Sequence, residues 1–344
     1  MFNRLPLPDH VDPEKTGSVW RVDYRQRAVD AKKWARQHGI LPAREDAQKV
    51  AMLLIDVQNT FCLPEFELFV RGQSGDGAVA DNRRLVRFIY QNLGRITQLH
   101  LTMDSHRMAQ IFHPVFWVNN QGEHPEPYTQ ISAADIEANQ WRINPGLLER
   151  WDFTRDNAAA FARYYTSQLE QGGKFQHTIW PYHAMVGGVG HALVSAIEEA
   201  VFFHGIARTQ PPEMILKGEV PLTENYSALA PEVKNGPDGR GLAPRNEALI
   251  DTLLAADRLI IAGQAKSHCV AWTVQDLLAE IEKSDPDLAR KVYLLEDCAS
   301  PVVIPDVIDY SDSADRAFER FAAAGMHRVS TTRPLDQWPG FSNG

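Results

Sequence analysis

The stretch Arg258-Leu259-Ile260-Ile261-Ala262-Gly263, then Gln264-Ala265-Lys266-Ser267-His268, then Cys269-Val270-Ala271-Trp272-Thr273-Val274-Gln275-Asp276-Leu277-Leu278, decides the fold. Its first part is a short apolar run closed by glycine and reads as a buried strand. Its last part carries apolar residues at helical spacing. The alternation recurs along the chain. Apolar runs stand at 51–55, 96–103, 214–216, 259–262, 292–295 and 327–331, with amphipathic stretches at 82–93, 192–203, 245–256, 270–283 and 313–324. Strands alternating with helices predict an α/β fold, a doubly wound and mainly parallel sheet with helices on both faces. In such sheets active sites collect outside the carboxyl ends of the strands.

The flanks depart from this rhythm. Residues 1–48 form a Pro-punctuated arm (Leu5-Pro6-Leu7-Pro8, Asp12-Pro13) and a charged stretch, Tyr24 to His38, expected to be an exposed helix. The alternating domain spans 49–334, and 335–344 is a C-terminal tail. Within the domain, residues 119–178 are polar and broken by His124-Pro125-Glu126-Pro127, Pro145-Gly146 and Gln171-Gly172-Gly173, with helix-like stretches at 133–141 and 158–171. That is too long for an ordinary connection and predicts an insertion, a lid or an interface. A second loop, 218–244, follows Lys217. No internal repeat is visible.

Bulk properties exclude several classes. Of 344 residues, 44% are hydrophobic and 23% charged, ordinary for a soluble globular chain. A formal charge of −9 argues against nucleic acid and anionic membranes as partners. The apolar runs are too short to span a bilayer, and Met1-Phe2-Asn3-Arg4-Leu5-Pro6 leads into polar sequence, not a secretory core. Three cysteines, Cys62, Cys269 and Cys298, make no disulfide framework, so a reducing, cytoplasmic compartment is expected. An arm with little core of its own suggests a homo-oligomer in which it wraps a neighbouring subunit.

Three strand ends carry chemistry. Cys269 opens a helix, where unpaired N–H groups and the macrodipole favour thiolate and can stabilise an oxyanion. Asp56 ends the run 51–55 and Lys217 ends the run 214–216. On neighbouring strands the three would converge. An Asp with a raised pKa can take the cysteine proton, and a Lys can stabilise thiolate and substrate charge. The plainer alternatives are a small core cysteine, a helix-capping Asp56 and a solvated Lys217. A second cluster, Asp104-Ser105-His106 with His113 and His183, suits a divalent ion such as Zn, Fe or Mn. His124, His177, His191, His204 and His327 read as ordinary core or surface residues.

These motifs resemble the isochorismatase-like cysteine hydrolases, and within them the nicotinamidases. The matching phrases are Leu54-Ile55-Asp56-Val57-Gln58-Asn59-Thr60-Phe61-Cys62, Thr102-Met103-Asp104-Ser105-His106, Trp180-Pro181-Tyr182-His183, Ile215-Leu216-Lys217-Gly218, and Ala262-Gly263-Gln264-Ala265-Lys266-Ser267-His268-Cys269-Val270. The resemblance implies a six-stranded parallel sheet, with Asp56 as general base, Lys217 as electrostatic partner and Cys269 as nucleophile. It implies a cis peptide between Gln264 and Ala265 that aims the Ala265 and Cys269 amides into an oxyanion hole. It implies metal ligands Asp104, His106 and His183, with His113 as the fourth, the ion holding the pyridine nitrogen of nicotinamide. Phe61, Trp180 and Tyr226 match aromatic pocket positions, and no organic cofactor is implied. The implied reaction is cleavage of a small amide to acid and ammonia through a thioester.

The chain departs from the family pattern at Ser267, where an acidic residue is usual, at Ala184, where a cysteine is common, and at Thr60, where an Asp is frequent. The insertion and arm are absent from compact nicotinamidases. Two other readings stand beside nicotinamide hydrolysis. One is an amidase for another small carbamoyl or ureido amide that uses no metal; the other is a non-catalytic binding protein on the same fold. Isochorismatase activity proper is disfavoured, since that vinyl-ether hydrolysis does not use a cysteine nucleophile.

Overall fold

A computed structural model describes residues 4–172 and 175–341. Residues 1–3 of the arm, Gly173 of the expected turn with Lys174, and 342–344 of the tail lie outside the described residues. In chain order the main elements are α1 (Tyr24–Gln37), β1 (Val50–Ile55), α2 (Gly77–Gln91), β2 (Gln98–Asp104), α3 (Arg155–Gln171), α4 (Ser195–Arg208) and β3 (Glu213–Lys217). There follow α5 (Glu247–Ala255), β4 (Arg258–Gly263), α6 (Ala271–Ser284), β5 (Val292–Leu295), α7 (Ser311–Ala323) and β6 (His327–Val329).

The six strands form one sheet in the order β3-β2-β1-β4-β5-β6, every adjacent pair parallel. This is the doubly wound sheet that the alternation predicts. The order reverses between β1 and β4, and a crevice opens outside the strands at such a reversal. All six residues of β1 are buried, as a central parallel strand covered on both faces requires. Edge strand β3 exposes Glu213, Met214 and Leu216 and buries only Lys217 at its end. Helices α2 and α4 pack on each other, as do α6 and α7.

Pairing, not composition, sets the strand limits. β2 starts later than the apolar run and continues through Asp104, because Asp104 pairs with Lys217 of β3. β1 and β4 are level at Ile55 and Gly263. Only glycine fits there: Gly263 has φ +124, and a Cβ on it would lie 2.0 Å from the Ile55 carbonyl oxygen. The chain can then turn sharply away from β4 toward Cys269.

The arm lies on its own chain. Leu5 N–H donates to Gln91 O at 3.0 Å, and Trp20 N–H donates to Ser195 Oγ at 2.9 Å, so α2 and α4 of the same chain hold it. Helix α1 is not exposed all round either; Ala31, Trp34 and Ala35 are buried on the side that packs on α4. In the insertion the stretch 133–141 is helical only over Ala133–Glu137, behind a Ser132/Asp135 capping box, and Asn139 at φ 55 ends it. Two short antiparallel pairs order the insertion: Trp117–Val118 with Arg142–Ile143 ties it to the body, and Gln130–Ile131 with His177–Thr178 closes it on itself. In the tail, Trp338 and Phe341 are buried against Tyr293. Among the described residues no helix is long and apolar enough to cross a membrane.

Candidate active site

Parallel pairing brings the ends of β1, β2, β3 and β4 to one level, and the chemistry-bearing side chains meet there. Lys217 is the hub. Its Nζ lies 2.9 Å from Asp56 Oδ2, 2.6 Å from Asp104 Oδ1 and 3.6 Å from Cys269 Sγ, and it donates to Asn225 O at 3.0 Å. One oxygen each of Asp56 and Asp104 and the Cys269 sulfur lie within 4.8 Å of one another. The ammonium is the cation of that trio. Burial works against its charge, but Asp104 and Asp56 outweigh it and hold the lysine protonated.

Asp56 sits just past β1 with φ 49, fully buried. Thr102 Oγ donates to Asp56 Oδ1 at 2.6 Å. Burial pushes its carboxyl above the usual range, and Lys217 offsets this only in part. Gln58 pins the neighbouring strand end: its Nε2 donates to Asp104 O at 2.9 Å, and its Oε1 accepts from Asp104 N–H at 2.8 Å.

Cys269 lies in a π-helical turn, Lys266–Val270, that precedes α6. The helical position suggested a thiolate, and the structure corrects this. Burial pushes the thiol well above its ordinary value, Lys217 pulls it down less, and Asp56 and Asp104 push it further up. The resting group is a thiol beside the Asp56 carboxyl. A cis peptide joins Gln264 and Ala265, and Ala265 lines the same pocket as Cys269. The Gln264 side chain is tied down, donating to Asp81 Oδ2 at 2.9 Å and accepting from Ser300 N–H at 3.2 Å.

The second cluster is equally organised. Ligand atoms of Asp104, His106 and His183 lie within 4.8 Å of one another, all three residues buried. A carbonyl can only accept, so an imidazole Nδ1 that faces one, with no acceptor at its Nε2, must carry the proton. His183 Nδ1 faces Pro181 O at 2.7 Å, whereas His106 stands between two acceptors, Gly218 O at 3.2 Å from Nδ1 and Asp104 Oδ2 at 3.2 Å from Nε2. His113 Nδ1 faces Arg107 O and Met108 O, each at 3.1 Å. His183 and His113 Nε2 are thereby left as lone-pair donors, the arrangement that metal-binding histidines need, while His106 Nε2 contacts Asp104 Oδ2. His113 Nε2 is buried with no hydrogen-bond partner among the described residues, its ring 6.0 Å from that of His106 and 5.8 Å from that of His183. His113 stands outside the tight group of three. Burial lowers its pKa to about 4, which keeps it neutral. For Asp104 burial acts upward, but His106 and Lys217 outweigh it and hold the carboxylate ionised. One carboxylate and three imidazoles fit a divalent ion of the Zn, Fe or Mn class.

Gly218 makes the cluster possible. At φ +76, its Cβ would lie 2.5 Å from His106 Cε1. The other histidines stay outside the cluster: His124, His204 and His327 face backbone carbonyls, His177 is buried beside Trp117 and Tyr165, and His191 faces Ser105 Oγ at 2.8 Å.

A pocket joins the two clusters. Phe61, Trp180 and Tyr226 line it as expected, with Asp104, His106, His183, Ala265 and Cys269. Sequence reasoning missed Phe112, Glu224, Asn225 and His268 in its wall. Glu224 and Asn225 sit in the loop after Lys217 and were visible only as neighbours of Tyr226. Trp180 Nε1–H donates toward both Glu224 Oε1 (3.0 Å) and Tyr226 Oη (2.9 Å). The family departures have local roles. Thr60 Oγ donates to Glu67 at 3.1 Å and accepts from Ala184 N–H at 3.3 Å, and Ser267 Oγ contacts His268 Nδ1.

Matched against models of protein families and against curated proteins, the sequence finds no counterpart in either. Among solved structures it aligns with the yeast nicotinamidase Pnc1p bound to the inhibitor nicotinaldehyde. The TM-score is 0.50 and the identity 17%, covering 82% of this chain and 99% of that one. It also aligns with an Acinetobacter baumanii nicotinamidase/pyrazinamidase at TM-score 0.49 and 20% identity, covering 84% of this chain and 99% of that one. The likeness to the yeast enzyme is one of fold: the isochorismatase-like architecture implied by the motifs is the one observed, with additional length in this chain.

Proposed function

We propose that this chain is a cysteine-dependent amidohydrolase that converts a small amide to a carboxylic acid and ammonia, with nicotinamide as the leading substrate. The observation that carries this reading is the Lys217 ammonium set between Asp56 and Cys269, at 2.9 and 3.6 Å. A buried thiol, a buried base with a raised pKa and a fixed cation form a relay for moving one proton back and forth.

In this reading the Cys269 proton passes to Asp56 as sulfur bonds to the amide carbon. The carbonyl electron pair moves onto oxygen, where the Ala265 and Cys269 amides would receive it. The C–N bond then breaks, Asp56 returns the proton to nitrogen, and ammonia leaves a thioester. Water enters with its proton taken by Asp56, its oxygen bonds to the thioester carbon, and the C–S bond breaks. The proton goes back to sulfur and the acid departs. Lys217 keeps its charge throughout and offsets the negative charge on Asp56 or sulfur. Asp104, His106, His183 and His113 would hold a divalent ion, which offers an open position for a lone pair of the substrate and so orients it. Phe61, Trp180 and Tyr226 would clasp a flat ring.

The test is ammonia release from a panel of amides led by nicotinamide, for wild type and Cys269→Ala, with and without a chelator. Nicotinamide turnover that needs Cys269 and falls on chelation supports relay and metal set together. Turnover of a carbamoyl or ureido amide that is indifferent to chelator would retain the relay and discard nicotinamide and the metal. Absence of any turnover would favour a binding role on this fold.

A further inference from the structure

The pocket has a second polar end that the relay and the metal-ligand set do not use. His268, the residue before Cys269, lines the pocket and is 3% exposed. Its ring stands among four aromatic rings: Phe175 at 4.5 Å, Tyr310 at 4.6 Å, Tyr226 at 5.2 Å and Trp180 at 5.6 Å between centroids. None of these four is a ring neighbour of His106 or His183, whose neighbours are Phe61, Phe112 and His113. One wall therefore ends in the carboxylate and imidazoles, and another ends in His268.

Hydrogen bonding fixes the tautomer of His268. Ser267 Oγ accepts from Val302 N–H at 3.0 Å and lies 2.8 Å from His268 Nδ1. A hydroxyl has one proton to give, and among the described residues Nδ1 is the acceptor within its reach. With Nδ1 accepting that proton, the ring proton resides on Nε2. That Nε2–H is buried and has no partner among the described residues. An unmet buried donor is costly, so a ligand that supplies an acceptor gains what the free protein lacks. Burial also lowers the His268 pKa to about 3, so the ring is a neutral donor at physiological pH.

We infer that His268 Nε2–H is a substrate-recognition donor, and that the amide cleaved here carries a hydrogen-bond acceptor, a ring-borne carbonyl or hydroxyl oxygen, on the side away from the metal-ligand set. The inference rests on the amidohydrolase reading and narrows its substrate class. Nicotinamide itself would leave this donor unmet. Ser267, standing where relatives carry an acid, sets the tautomer and is a positioning residue for the same contact.

The experiment compares nicotinamide with its 4- and 5-hydroxy forms, whose hydroxyl groups lie away from the ring nitrogen, in two readouts. Calorimetric binding is measured on the Cys269→Ala protein, and ammonia release on wild type. At least one hydroxylated amide is expected to bind about three- to tenfold more tightly than nicotinamide, the worth of one neutral hydrogen bond. Adding His268→Phe, which keeps a ring and removes the donor, should abolish that ratio. Adding Ser267→Ala, which frees the tautomer without touching the ring, should reduce it. Equal binding of all three amides, or a ratio that survives His268→Phe, overturns the inference. A binding ratio that behaves as expected while wild type releases no ammonia overturns the amidohydrolase reading and leaves His268 as a recognition group.

Discussion

Lys217 Nζ lies 2.6 Å from Asp104 Oδ1, and this one contact joins the proposed proton relay to the proposed metal-ligand set. The two clusters share a buried cation, so neither can be altered alone. Replacing Lys217 by Met would leave Asp56 and Asp104 buried without their counter-charge. Breaking such a network costs about 3–5 kcal/mol of stability, and losing the electrostatic partner costs about 10²–10³ in turnover. Urea unfolding and ammonia release on Lys217→Met check both figures. Full turnover in a folded variant would remove Lys217 from the relay.

Asp56 raises the Cys269 thiol pKa and is its base in the proposed mechanism, which separates reactivity from catalysis. Asp56→Asn is expected to speed iodoacetamide alkylation of Cys269 at pH 8 and to lower amide turnover at the same pH. Cys269 lines the pocket whereas Cys62 and Cys298 are fully buried away from it, so labelling should be selective. Peptide mapping of the label reads the first effect. Slower alkylation in Asp56→Asn would contradict the assigned charges.

The relay also predicts the shape of the acid limb of kcat/KM. Asp56 must be ionised to take a proton, and burial holds its pKa above the usual carboxylate range, so activity should fall while exposed carboxylates are still ionised. The Thr102 hydroxyl favours the ionised form. Thr102→Val is therefore expected to move the acid limb to higher pH. A limb that stays in place would detach it from Asp56.

Gly218 offers a test of the metal set that leaves every ligand in place. A Cβ there would lie 2.5 Å from His106 Cε1, so Gly218→Ala must displace that imidazole. Disturbing the support of a ligating histidine costs about 10- to 100-fold in metal affinity. Competition against a chromophoric chelator for Zn measures it. Unchanged affinity would exclude His106 as a ligand.

Acid stability should depend on His204, buried in the core with Nε2 facing Ile96 O at 2.9 Å. Burial lowers its pKa from 6.5 to about 4. The neutral ring contributes fully above pH 6.5. As pH falls toward 4 the unfolded chain binds the proton and the folded one does not, so stability is lost across that window. The loss is on the order of 3 kcal/mol at its limit. His204→Gln should show a shallower fall of Tm between pH 6.5 and 4.5 than wild type. Equal slopes would place the acid sensitivity elsewhere.

The sheet was legible because a parallel strand covered on both faces must be an unbroken apolar run, as 51–55 and 259–262 are, and such a run needs no partner to be recognised. Asp56, Lys217 and Cys269 were legible for a related reason: polar residues placed directly after apolar runs lie at strand ends, wherever the strands go. Their convergence was not. It follows from the order β3-β2-β1-β4 and from the register that sets Asp104 against Lys217, both long-range properties. The protonation states depended on tertiary structure still more. A thiol at a helix start looks like a thiolate until burial and two carboxylates are set against one lysine. His268 looked like a turn residue until Val302, from a segment beyond β5, used one lone pair of Ser267 and so oriented the imidazole proton. Local sequence determined which groups stand at strand ends. The packed structure alone decided which carry charge and which donate, because desolvation and pairing are sums over residues distant in the chain.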